Sequence, residues 1–108
     1  MHHMTRVTLA AFSLVAIALA TSPGQAAQKK GEAEFKEHCA ACHADGGNII
    51  KPDKTLSRKD REKNGVKSAN DIVKLMRKPG TGMTEFDKKT IPDKEAKAIA
   101  DYIIKNFK

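Results

Sequence analysis

The feature that most restricts this chain is the run Cys39-Ala40-Ala41-Cys42-His43, which holds both of its cysteines. On a helix, residues at i and i+3 lie on the same side. Two thiols placed this way can each form a thioether with one vinyl group of a single porphyrin. A histidine directly after the second cysteine can then reach up to the iron, so ring and ligand are held by one short stretch. This is the attachment spacing of a c-type haem. Other uses of the cysteines fit less well. A Cys39–Cys42 disulfide is possible in an exported chain, but a thioredoxin-like dithiol expects a βαβ context, which the sequence lacks. A structural zinc site needs four ligands, and the candidates Cys39, Cys42, His38 and His43 all fall within six residues.

Residues 1–26 read as a secretory signal. Arg6 supplies the basic n-region, and Val7 to Ala20 is a run interrupted only by Thr8 and Ser13. Gly24 and Ala26 then present small side chains to a signal peptidase, which places cleavage after Ala26. The apolar run of 14 residues is short for a bilayer core, which needs roughly 20. The mature domain is therefore residues 27–108, a single unit of 82 residues. Its aromatics are only Phe35, Phe86, Tyr102 and Phe107, so its own side chains make a thin core. A chain this small usually needs a staple or a bound group at its centre.

The apolar pattern is helical throughout, and the expected fold class is all-α. Gly31 to Cys42 reads as a first helix, with Phe35, Cys39 and Cys42 along one face. Ala27 to Lys30 reads as its frayed start. Ala44 to Lys67 is rich in glycine, proline and charge and reads as irregular, with room for one short polar helix over Leu56 to Asn64. Ser68-Ala69-Asn70-Asp71 is a capping box that opens the next helix, and Pro79-Gly80 stops it. A last helix begins near Pro92, with Ala96, Ile99, Ala100, Ile103 and Phe107 on one stripe. Three helices are expected, with a fourth possible.

A second axial ligand must come from farther along the chain. His2 and His3 leave with the signal, and His38 adjoins Cys39 and cannot swing to the opposite face of the ring. Met76 lies on an apolar helical stripe, which reads as core. Met83 follows the broken stretch Pro79-Gly80-Thr81-Gly82, a loop able to wrap beneath a ring and present its thioether. The expected axial pair is therefore His43 and Met83. Methionine–histidine ligation raises the potential and suits electron transfer.

All 13 acidic residues but only 19 of the 20 basic ones lie beyond residue 26, a balance of +6. That charge favours acidic partner surfaces. Nucleic acid is disfavoured, because the chain has no stacking platform and no binding motif. Lys51, Lys54, Arg58, Lys59, Arg61, Lys63 and Lys67 form one candidate docking face, and Lys88-Lys89 another.

Together these residues resemble the soluble class I c-type cytochromes, nearest the cytochrome c-six type, over essentially the whole mature chain. Gly31 and Phe35 match the first-helix positions that this family packs against its last helix, and Tyr102 matches the aromatic there. Gly46-Gly47-Asn48 and Lys54-Thr55-Leu56 resemble the stretch after the attachment motif. The resemblance implies a few helices wrapped around one covalently attached haem c, with Cys39, Cys42, His43 and Met83 as its binding residues. It also implies a carbonyl acceptor for the histidine N–H near a proline, for which Pro52 is the candidate. Many relatives have proline directly after the ligand methionine, where this chain has Thr84.

The expected function is that of a monomeric, exported one-electron carrier between redox proteins. It would work in a periplasm or a thylakoid-lumen-like compartment, with no small-molecule substrate and no enzymatic activity. Two alternatives stand beside it. One is a haem subunit of a larger oxidoreductase. The other is a five-coordinate haem protein reactive toward gases or peroxide, although the lack of a histidine or arginine next to Met83 argues against peroxidase chemistry.

Overall fold

The computed structural model of the protein describes Ser13, residues 15–17 and residues 22–108. Most of the expected signal segment therefore lies outside the described residues. Among the described residues every regular element is helical, and no helix is long and apolar enough to cross a membrane. The α-helices are α1 (Pro23–His38), α2 (Ala40–His43), α3 (Arg58–Lys63), α4 (Ala69–Arg77) and α5 (Asp93–Asn106), with a 3₁₀ turn at Ala44–Gly46.

Helix α1 starts well before Gly31. Ser22 is its N-cap, accepting the Gln25 N–H, and Pro23 stands in the first turn, where its missing N–H is no loss. The Ala, Gln and Lys residues that follow are good helix formers, so the helix runs through Ala26 and Ala27. The expected continuous helix to Cys42 breaks at Cys39, the C-cap of α1, whose φ of −119° is far from the regular helical value although its N–H still reaches Phe35 O at 2.8 Å. Helix α2 then carries the Cys42-His43 end of the motif as a separate turn.

The possible polar helix exists as α3, with Ser57 as its N-cap. At Ser68 both halves of the capping box form: Asp71 N–H donates to Ser68 Oγ at 3.1 Å, and Ser68 N–H donates to Asp71 Oδ2 at 3.0 Å. Helix α5 begins at Asp93 with Pro92 as its cap, one residue later than the expected first-turn position.

Helices α1 and α5 pack against each other, and α4 packs on α5. The α1–α5 crossing depends on Gly31. A Cβ there would collide with the Ala98 carbonyl and come within 3.1 Å of Tyr102 Cβ. Three aromatics surround the crossing. Phe35 lies 5.4 Å from Tyr102 and 5.3 Å from Phe107 between ring centroids, and Tyr102 meets Phe107 edge-on at 5.9 Å. These separations are those of favourable tilted aromatic pairs. Behind them Met76, Ile91, Ala96, Ile99, Ala100 and Ile103 are buried.

Gly31→Ala tests this crossing. On a free helix face alanine would stabilise by nearly 1 kcal/mol. Here the added methyl should instead cost about 1–3 kcal/mol through overpacking, read as a lower urea midpoint with an unchanged slope.

Candidate functional site

A cavity of about 300 Å³ opens between the α1–α2 junction, α4 and the segment after α4. His38, Cys39, Cys42 and His43 line one side, and Leu75 and Met76 of α4 line another. Met83 and Phe86 close it from the segment beyond. The structure thus brings Cys39, Cys42, His43 and Met83 to one cavity. Met76 is 3% exposed and belongs to the core, whereas Met83 is 37% exposed.

Cys39 and Cys42 are not joined in a disulfide, and both are half-buried. Burial pushes the Cys39 thiol up to about 11, with a smaller contribution from the nearby Glu34 carboxylate. The thiolate is the reactive form of cysteine, so burial makes Cys39 the less reactive thiol at neutral pH. Two unpaired thiols and an imidazole on an apolar cavity are the donor set that a thioether-linked haem requires.

His43 is held by its backbone and its ring. Its Nδ1 lies 2.7 Å from Gly47 O. A carbonyl can only accept, so Nδ1 carries the proton and the lone pair is left on Nε2, the tautomer needed of a metal ligand. The acceptor is therefore Gly47, not the Pro52 carbonyl expected from the family resemblance. Asp45 at φ 54° and Gly46 at φ 77° turn the chain back on itself, which brings Gly47 O beneath the ring. Gly46 permits this because a Cβ there would stand 2.6 Å from the Phe107 ring. Its carbonyl accepts the Leu56 N–H at 2.7 Å.

The loop after the turn is organised by Asn48, Thr55 and Asp60, the first two within the stretches that carry the family resemblance. Asn48 Oδ1 accepts the N–H groups of Ile50 and Lys51 at 3.0 and 2.8 Å, and its Nδ2 donates to Lys54 O at 2.9 Å. Thr55 donates its hydroxyl to Asp60 Oδ2 at 2.6 Å and its N–H to the same oxygen at 3.3 Å. The Thr55 side-chain hydrogen bond, chief among several causes, holds the Asp60 carboxyl below its usual value.

Arg61 departs from the expected docking face. It is 7% exposed, with Nε donating to Leu56 O at 2.8 Å and Nη2 donating to Phe107 O at 3.2 Å. It ties α3 to the end of α5. Lys54, Arg58, Lys59, Lys63 and Lys67 are exposed, and Lys51 is half-buried.

An all-helical chain with two thiols and an oriented imidazole on one apolar cavity defines the class of monohaem c-type cytochromes. The comparisons agree. The family profile described as "Cytochrome C oxidase, cbb3-type, subunit III" matches residues 26–103. Cytochrome c6 of Cyanidium caldarium is 34% identical over 68% of this chain and 66% of its own, so the chain spans just under two thirds of that relative. Cytochrome c6 of a Nostoc species is 33% identical over 86% of this chain and 89% of its own. The solved structure of OmcF, an outer membrane cytochrome from Geobacter sulfurreducens, superposes with a TM-score of 0.71 at 41% identity, covering 72% of this chain and 99% of that one. The chain belongs to this cytochrome c family, with the class I fold, and carries one covalently attached haem c.

Asp60→Asn should lower the urea midpoint at neutral pH. The folded-state pKa of Asp60 is depressed, so its contribution is present above the unfolded value of about 3.9 and is lost as pH falls through the folded value. The gap between wild type and variant should therefore close below about pH 4. A gap that is constant with pH would mean the carboxylate charge plays no part.

Proposed function

We propose that the protein is an exported one-electron carrier in which Cys39 and Cys42 bond the haem, and His43 and Met83 are its axial ligands. The observation that carries this is the shared cavity: both thiols, the Nε2-presenting His43 and the Met83 thioether all line it. When bound, the haem supplies reversible one-electron chemistry at iron. The chain's residues anchor it, orient the imidazole through Gly47, and surround it with Leu75, Met76 and Phe86. With both axial positions filled by protein groups, no position is left for a substrate, which supports a carrier and not an enzyme.

Export rests on the signal pattern of residues 1–26, and the destination is the periplasm or a lumen-like compartment. Partners are redox proteins with acidic surfaces. Lys54 lines the cavity and is exposed, Lys59, Lys63 and Lys67 add exposed positive charge along the following stretch, and long-range steering by such charge is sensitive to salt. A second reading, a haem subunit held in a larger oxidoreductase, is favoured by one specific observation: the matching family profile is described as an oxidase subunit.

Visible spectroscopy tests the ligation. The ferric wild type should show the weak methionine–iron charge-transfer band, and the ferrous form should not bind carbon monoxide. Met83→Ala should lose the band, open the iron to carbon monoxide and lower the reduction potential. A wild type that binds carbon monoxide readily would overturn methionine ligation and favour a gas- or peroxide-reactive site. Separately, electron transfer to an acidic partner protein should slow steeply between low salt and 0.15 M, where the screening length falls to about 8 Å. Salt-independent transfer would remove the docking role from the basic surface.

A further inference from the structure

Met83 sits on an arm with little to hold it. Among the described residues no hydrogen bond ties Pro79–Glu85 to the rest of the chain, a tight turn at Thr81–Gly82 orders it only locally, and Thr81 to Glu85 are exposed. The arm's beginning is tied by Lys78 N–H to Lys74 O at 3.0 Å, the C-cap bond of α4. Its far end is tied at Phe86, whose N–H donates to Met76 O at 2.9 Å.

Arg77, the last residue of α4, meets the same far end. Its Nη1 donates to Phe86 O at 3.2 Å and to Ile91 O at 2.8 Å, while Nη2 pairs with Asp93 Oδ1 at 2.8 Å. The side chain is 18% exposed, and Asp93 is held in addition by Lys88 at 3.5 Å. One guanidinium therefore joins the last turn of α4, the far end of the methionine arm and the first residue of α5. A planar fork with donors on both terminal nitrogens suits this task, and a lysine ammonium could not reproduce its geometry.

We propose that Arg77 is the positioning residue for the sixth ligand: it pins Phe86 and thereby sets how readily Met83 leaves the iron. The proposal rests on Met83 ligation. Phe86 has other anchors, namely its N–H bond to Met76 and its ring, which packs against the core and meets His38 at 5.9 Å. Loss of Arg77 should thus loosen the arm without releasing it. An arm that lifts more easily yields the iron more easily to an outside ligand.

The experiment is a titration of the ferric holoprotein with imidazole, following loss of the methionine–iron band, in wild type, Arg77→Gln, Arg77→Lys and Asp93→Asn. Hydrogen bonds from a charged donor are among the stronger ones. Arg77→Gln should make imidazole bind about tenfold tighter, equivalent to about 1.4 kcal/mol. Arg77→Lys should recover only part of this. Asp93→Asn, which leaves both carbonyl bonds in place, should shift binding less than Arg77→Gln. Urea unfolding of the same proteins separates a general structural role, which would lower the unfolding midpoint and leave the native-state imidazole affinity unchanged. Unchanged imidazole affinity in Arg77→Gln overturns the proposal. If that variant does not fold, the decision passes to Arg77→Lys, where unchanged affinity overturns it equally. A wild type with no methionine band removes Met83 ligation and this role together, and that is seen before any variant is made.

Discussion

The structure depends on how little apolar material this chain has to close its interior. Its buried side chains gather at the α1–α5 crossing and on the adjoining face of α4. They do not fill the space beyond. What lies there is a cavity between α2, α4 and the Met83 arm. Small domains bury a small fraction of their surface and are marginal without a further source of stability. A covalently held haem answers that constraint, because it supplies the large apolar body that Phe35, Phe86, Tyr102 and Phe107 do not. Cofactor and core are in this sense one object.

Around this centre, the division of labour follows chain geometry. The α1–α5 pair is a rigid frame, set by the missing side chain at Gly31 and by the Phe35, Tyr102 and Phe107 rings. The His43 side is built from a left-handed turn at Asp45–Gly46 and a network of short-range hydrogen bonds through Asn48 and Asp60. Buried Arg61 closes the network onto the end of α5. Burial pulls its pKa down, yet a guanidinium stays charged in a protein, and the carbonyls of Leu56 and Phe107 take up its donors. The Met83 side has far fewer internal bonds, and its far end is held at Phe86 by Met76 and Arg77. A densely bonded loop beside His43 thus faces a sparsely bonded arm that carries Met83.

Much of this was legible in the residues alone. The haem spacing, the helical class, the Ser68 capping box, the core position of Met76 and the exposed loop position of Met83 all follow from patterns only a few residues long. So does the stop at Pro79-Gly80. Other expectations were changed by the structure: the acceptor for His43 is Gly47 and not Pro52, Arg61 is buried and not part of a docking face, and the first helix breaks at Cys39. Helix α1 also begins at Pro23, because the Ser22 cap outweighs the weak apolar periodicity of the residues that follow.

The sequence by itself determined the cofactor, the anchoring residues expected for it and the helical class, because thioether spacing, capping and helical periodicity are local properties carried by neighbouring residues. Only the tertiary structure decided which carbonyl orients His43, where Arg61 lies and what Arg77 holds. Those outcomes depend on distance in space between groups separated along the chain. A guanidinium in a charged run looks the same in sequence whether it faces water or caps a helix end 46 residues away. Which of these occurs is settled by how α3 and α4 dock on α5, since a buried donor must find an acceptor and the packing determines which acceptors are within reach.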